Sequence, residues 1–241
     1  MAKIPDKPED IYDEFVRDFT GLFGADLESV FVYGSAARGE YVPKKSDINC
    51  ALILTNNGIE RFHIALELIK KWSRRNVAIP LFLNEEYIMN SLDTFPIEFL
   101  NISSHYRVLF GKDVFASIDL NRDHIRLQLE REMKGNLLNL RQAYFQAAGR
   151  PRSASLLIAD SFGSFLSLFP AILLLKNEAI SGSTVENINR ISVLFKLDVN
   201  VLQRLYRAKQ GREKISKKDS FELLRSYIAQ IRSLALQTDS L

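Results

Sequence analysis

Every strand signal in this 241-residue chain lies in its first half. Short apolar or alternating runs predict strands over 30–33, 47–54, 77–83 and 106–110. Beyond residue 120 no alternating run recurs. A 3.6-residue periodicity takes over and predicts helices over 123–148, 153–176, 185–195, 199–208 and 218–236. Gly149 and Pro151 stop the first of these, and Ser181-Gly182 and Gln210-Gly211 separate later ones. A chain divided in this way predicts an α/β head over 1–118 and a helical bundle over 119–241. Charge divides at the same place. The first part carries 13 Lys/Arg against 17 Asp/Glu, and the second 19 against 12.

Helices are also expected inside the head. Ile11, Phe15, Phe19 and Leu22 form one stripe over 11–23, closed by Gly24. Ile59, Phe62, Leu66 and Ile69 form another over 59–72, after a turn at Asn56-Asn57-Gly58. A third helix opens at Glu85 and runs to 92, and a brief one is expected from Gly34-Ser35 to Gly39. Pro80 in the third strand predicts an edge or bulge position.

Composition removes several function classes. With 46% hydrophobic and 25% charged residues, the chain is an ordinary globular one rather than a disordered one. One cysteine, Cys50, excludes an internal disulfide and a thiolate zinc cluster. Three scattered histidines (His63, His105, His124) argue against a His-rich metal site. The most membrane-like stretch, 155–175, holds Asp160, several serines and Pro170, so a bundle helix is the expectation and no membrane partner is. Asp160 is expected to pair with an arginine such as Arg131 or Arg141, or to face a cleft. The polar N-terminal residues 1–10 lack the apolar core of a secretory signal, and a cytoplasmic protein is expected. The basic run 204–218 has no interleaved stacking aromatics beyond Tyr206, so a solvated loop is expected and nucleic acid is not.

The chemistry concentrates in Val32-Tyr33-Gly34-Ser35-Ala36-Ala37-Arg38-Gly39-Glu40 and the following Ser46-Asp47-Ile48-Asn49. A strand runs into Gly-Ser, where glycine permits close approach of backbone to a bulky anion. Unpaired N–H groups just after such a turn point at that anion, and the Ser35 hydroxyl adds a donor. Arg38, three residues after Ser35, can reach phosphate or form a solvated salt bridge. Residues two apart on a strand share a face, so Asp47 and Asn49 project together beside the turn if the first two strands pair. Two carboxylates there would hold Mg²⁺ together with substrate phosphates. Cys50 points the other way and is expected to be a small buried hydrophobe.

Gly34-Ser35, eleven intervening residues, then Asp47-Ile48-Asn49 resembles the signature of the DNA polymerase beta-like nucleotidyltransferase superfamily. The phrase is close to the form seen in kanamycin-nucleotidyltransferase-like and minimal nucleotidyltransferase proteins. The resemblance covers about residues 28–112. It implies an α+β fold: a mixed-sheet nucleotidyltransferase-like head with a C-terminal all-α helical bundle. It also implies a nucleoside triphosphate partner, Mg²⁺, and three carboxylates holding two metal ions. Residue by residue, Gly34 and Ser35 match the phosphate turn, with Arg38 beside them as a nucleotide-binding candidate. Asp47 matches the first carboxylate, as catalytic residue and metal ligand. Asn49 stands where the second carboxylate should be and offers only a neutral oxygen. The strand over 77–83 reads Val-Ala-Ile-Pro-Leu-Phe-Leu, with no acid for the third position. Glu85 and Glu86 follow it as first-turn helix residues; Glu40, Glu85 or a carboxylate from a partner chain are left to compensate. The expectation is a kept cradle with a degenerate metal site, binding Mg²⁺ weakly or only with nucleotide. Two alternatives stand beside it: an active Mg²⁺-dependent transferase acting on a small-molecule or protein hydroxyl, and a non-enzymatic, toxin–antitoxin-like interaction module. A homodimer through the bundle belongs with these expectations.

Overall fold

The computed structural model describes residues 3–147, 149–239 and 241, and the chain divides into two compact units, Met1–Leu120 and Asn121–Leu241. In the first unit four strands form one mixed sheet: β1 (Leu27–Tyr33), β2 (Asn49–Leu54), β3 (Leu81–Leu83) and β4 (Tyr106–Gly111). Their order is β3-β2-β1-β4. β1 is antiparallel to both β2 and β4, whereas β2 and β3 run parallel.

The alternation that predicts these strands also sorts their side chains into two cores. Val30, Val32, Cys50, Leu52 and Leu54 pack with Phe15, Phe19 and Trp72. Phe31, Ala51 and Ile53 pack on the other face with Ile88, Phe99, Ile102 and Phe115. The first cover comes from α1 (Tyr12–Phe23), which a 3-10 turn over Pro8–Ile11 precedes and Gly24 ends at φ 56°. Trp72 anchors that core by its ring and by its indole N–H, which donates to Asp18 Oδ2 at 3.0 Å.

Several local expectations need correction. Asn56-Asn57-Gly58 is not a turn but the start of α2 (Asn56–Glu60), because Thr55 caps it: Gly58 N–H donates to Thr55 Oγ1 at 3.1 Å. Asp26 reinforces the cap by accepting from Thr55 Oγ1 at 2.6 Å and from Asn57 Nδ2 at 2.9 Å. The helix expected over 59–72 is thereby split into the end of α2, a 3-10 turn over Phe62–Ala65 and α3 (Leu66–Ser73). The third strand is short. Val77 makes an isolated bridge to Ile48, and the ladder resumes only at Leu81 opposite Ala51. Pro80, lacking an N–H, sits in that gap on the sheet edge, as its chemistry demands. α4 (Glu85–Asn90) follows, capped by Asn84. α5 (Pro96–Ser104), opened by Pro96, falls outside the sequence reading.

The second unit is helical throughout its described elements: α6 (Arg122–Gln146), α7 (Pro151–Leu166), α8 (Phe169–Leu175), α9 (Thr184–Leu194), α10 (Val199–Lys209) and α11 (Ser220–Thr238). The end expected for α6 at Ala148 lies outside the described residues. The single helix expected over 153–176 is two, broken at Ser167–Leu168 just before Pro170, whose ring cannot continue the preceding turn. This segment, Pro151–Leu175, is long and apolar enough to cross a membrane by length and composition. Here it is core. Ile158, Phe162 and Phe165 are buried, and α7 packs on α6, α10 and α11. Tyr227 of α11 is fully buried between the edges of Phe162 and Phe165, and its hydroxyl lies 3.2 Å from Ser161 Oγ. Asp160 is exposed and does not form the expected ion pair with Arg131 or Arg141.

Candidate functional site

β1 ends at Tyr33, and the register puts Tyr33 opposite both Asn49 of β2 and Tyr106 of β4. The segment after Tyr33, the start of β2 and the start of β4 therefore meet at one end of the sheet. Gly34 turns the chain there with φ 71°. The brief helix expected over 34–39 is a single turn. Arg38 N–H donates to the Gly34 carbonyl at 3.1 Å and Glu40 N–H to the Ser35 carbonyl at 2.9 Å, while Gly39 takes φ 73°. That pairing is a Schellman-type closure, so the turn caps itself before a helix can propagate. The N–H groups of Ser35, Ala36 and Ala37 find no acceptor among the described residues. Ala36 is buried and seats the turn on the first core.

Asp47 is held by its neighbours' backbones. Asn76 Nδ2 donates to the Ser46 carbonyl at 2.7 Å, Ile48 N–H donates to the Asn76 carbonyl at 2.9 Å, and Ala78 N–H donates to the Ile48 carbonyl at 3.0 Å. With Ile48 buried between these bonds, the exposed Asp47 side chain has a fixed origin. It sits beside Tyr41, whose hydroxyl donates to the Pro5 carbonyl at 3.2 Å. Burial, then the Asp47, Asp6 and Asp10 charges, push the Tyr41 phenol above its ordinary value.

The Asn49 amide lies against the turn. A Cβ built on Gly34 would stand 3.2 Å from Asn49 Nδ2. Gly34 is thus glycine for two reasons, its left-handed backbone and the close amide. The pairing of β1 and β2 brings Asn49 to Gly34; Ser35 follows that turn, and Asp47 lies two residues before β2 rather than on the expected strand. Arg38 is at the same turn, but its Nε lies 3.4 Å from Glu40 Oε2. Glu40 is therefore engaged with Arg38.

The other acid available to compensate is at the wrong end. β2 and β3 run parallel, so Glu85, past the end of β3, lies a strand length from Asp47, on the order of 20 Å. There it pairs with Lys112 at 2.6 Å. The segment where the resemblance calls for a third carboxylate, 77–83, holds no acid. Among the described residues no three His, Cys, Asp or Glu side chains come together as a group that could hold a metal ion. Two Mg²⁺ ions carry four positive charges, and Asp47 supplies one negative charge against them. The residues present do not fit a two-metal centre.

Two neighbours escape the sequence reading. His105 closes α5 and stands immediately before Tyr106, which puts it across from Gly34 at the β1–β4 margin. Burial, then the Arg38 charge, lower its imidazole below the ordinary value, against a smaller opposing effect of Glu40. Tyr41 is the other. Neither has a local motif; His105 is brought in by the pairing of β1 with β4, and Tyr41 is tied to the N-terminal segment through Pro5. Cys50, on the opposite face, is buried as expected, and burial pushes its thiol up to about 12.

A mixed four-strand sheet whose strand β1 leaves through a Gly-Ser turn, followed by a helical C-terminal part, is a fold shared with an adenyltransferase of known structure. Among solved structures, the chain is similar to a spectinomycin adenyltransferase, AAD(9), of Enterococcus faecialis, crystallised with ATP and spectinomycin. The TM-score is 0.54 at 9% identity, over 92% of this chain and 98% of that one. At that identity the likeness is one of fold. No protein-family model and no curated protein sequence matches the chain.

Proposed function

We propose that this protein binds a nucleoside triphosphate at the Gly34-Ser35 turn, and that its nucleotidyl transfer is weak or absent. In this reading the free N–H groups after Gly34, the Ser35 hydroxyl and Arg38 hold phosphate, and Asp47 meets whatever Mg²⁺ the nucleotide brings. The observation that carries the reading is the pairing of a preserved turn with a neutral amide: Asn49 packs at Gly34, where a second carboxylate would have to stand. Support for the nucleotide comes from the fold neighbour, whose structure contains ATP. The reading takes the protein to be cytoplasmic and does not involve nucleic acid. In the basic run, Arg204 and Arg207 both engage Glu213, at 2.6 and 3.0 Å, and Arg204 also reaches Asp219.

Pyrophosphate release from ATP or GTP in Mg²⁺ or Mn²⁺ tests the catalytic half. The expected result is release at background, unchanged in Asp47→Ala. Metal-dependent release that Asp47→Ala abolishes would overturn it and establish an active transferase.

A second reading, self-association through the bundle, has one observation in its favour. Leu127, Leu138 and Phe145 recur on α6 at spacings of eleven and seven residues, which keeps them on one face, and all three are exposed. Light scattering of the full chain would show a dimer that Leu138→Glu converts to monomer. A monomer at all concentrations would remove this reading.

A further inference from the structure

The end of the sheet that carries Asp47 and Glu40 also carries basic side chains. Arg38 and His105 flank the Gly34 turn from two different segments, the one after β1 and the one just before β4. In a two-metal site the triphosphate charge is met by magnesium. Here Asn49 is a neutral amide and Asp47 is the one matching carboxylate. Binding of a polyphosphate must then draw its positive charge from side chains. In the unliganded chain Arg38 is already occupied, because Glu40 lies 3.4 Å away with both side chains more than two-thirds covered. Glu40 occupies the place of an anion.

We propose that this site takes the triphosphate of a nucleotide without requiring a metal ion, that the phosphate replaces Glu40 on Arg38, and that His105 is a second phosphate ligand, binding as imidazolium. The inference rests on the nucleotide reading above and adds to it the residues, the displaced partner and a proton. The charged groups acting on His105 are Arg38 and Glu40, both from the turn after β1; in the strand that follows it the next ionisable groups are Tyr106 and Arg107. Tyr106 is committed to Asp113 at 2.8 Å, and Arg107 lies over the Tyr12 ring at 5.7 Å. In the free protein, burial and Arg38 keep the imidazole neutral near pH 7. A phosphate that takes over Arg38 and adds its own charge reverses that balance, so binding takes up a proton at His105. No bond is made or broken in this step other than hydrogen bonds and that N–H bond.

The test is calorimetric titration of the full chain with ATP in EDTA, between pH 7.5 and 6.0, in two buffers of different ionisation heat. The expected result is affinity that rises as pH falls, by up to about tenfold per pH unit, the limit for one proton. Proton uptake beyond that of ATP itself should accompany it. His105→Gln should lose this extra uptake and keep only the shallow slope that ATP's own titration gives, and Glu40→Gln should bind more tightly by removing the competitor. Equal slopes in wild type and His105→Gln, or no excess proton uptake by wild type, would overturn this inference and leave nucleotide binding standing. No binding by wild type at any pH would overturn the nucleotide reading, and this inference with it.

Discussion

Gly34 is the residue on which the turn depends, since its φ of 71° and the Asn49 amide 3.2 Å from a virtual Cβ both exclude a larger side chain. Gly34→Ala should cost about 1–2 kcal/mol for the left-handed backbone, read as a lowered Tm, and should weaken ATP binding in the same preparation. An unchanged affinity would detach the turn from the nucleotide. His105 makes a second prediction at this scale, on stability. Its folded-state value lies below the ordinary 6.5, so the unfolded chain binds the proton more readily. Stability from this group is therefore present above about pH 6.5 and lost as pH falls through the interval down to the folded value. Chemical denaturation at pH 7.5 and 5.5 should show wild type losing more stability than His105→Gln; equal losses would mean that His105 is not desolvated as described.

Secondary-structure elements are held by a few local contacts that can each be removed. Gly111 ends β4 at φ 77°, and a Cβ there would lie 1.9 Å from the Glu28 carbonyl oxygen. Gly111→Ala should destabilise the head by at least about 2 kcal/mol, because the clash is with backbone that cannot rotate away. In the bundle, Asp198 caps α10 by accepting from Asn200 N–H at 2.9 Å and from Val201 N–H at 3.4 Å. Asp198→Ala should cost about 1 kcal/mol, measured by urea denaturation. These elements also show what a single sequence reveals. The strands, α1 and the long bundle helices follow from period and from stop residues, so they are legible. α2 is not, because Asn56-Asn57-Gly58 reads as a turn until Asp26, thirty residues earlier, is seen holding the Thr55 cap. The break between α7 and α8 had its cause in plain view at Pro170, but apolar content concealed it.

At the scale of the molecule, the Gly-Ser to Asp spacing pointed to the fold, and the mixed sheet and helical C-terminal part agree with it. The candidate site was half legible. Motif spacing placed Gly34 and Asn49 together, since two adjacent strands suffice to join them. His105 and the Tyr41 bond to Pro5 were not legible as parts of a site, because they depend on where β4 and the N-terminal segment dock. The distant placement of Glu85 likewise depends on β2 and β3 being parallel. In the proposed function, nucleotide binding at the Gly34-Ser35 turn does not depend on metal. Titration of ATP into wild type and Asn49→Asp, each with EDTA and with Mg²⁺, addresses it directly. The account predicts that Mg²⁺ changes the wild-type affinity less than about threefold and strengthens binding to Asn49→Asp by about tenfold, the effect of one further carboxylate beside Asp47. Wild-type binding that requires Mg²⁺ would contradict it.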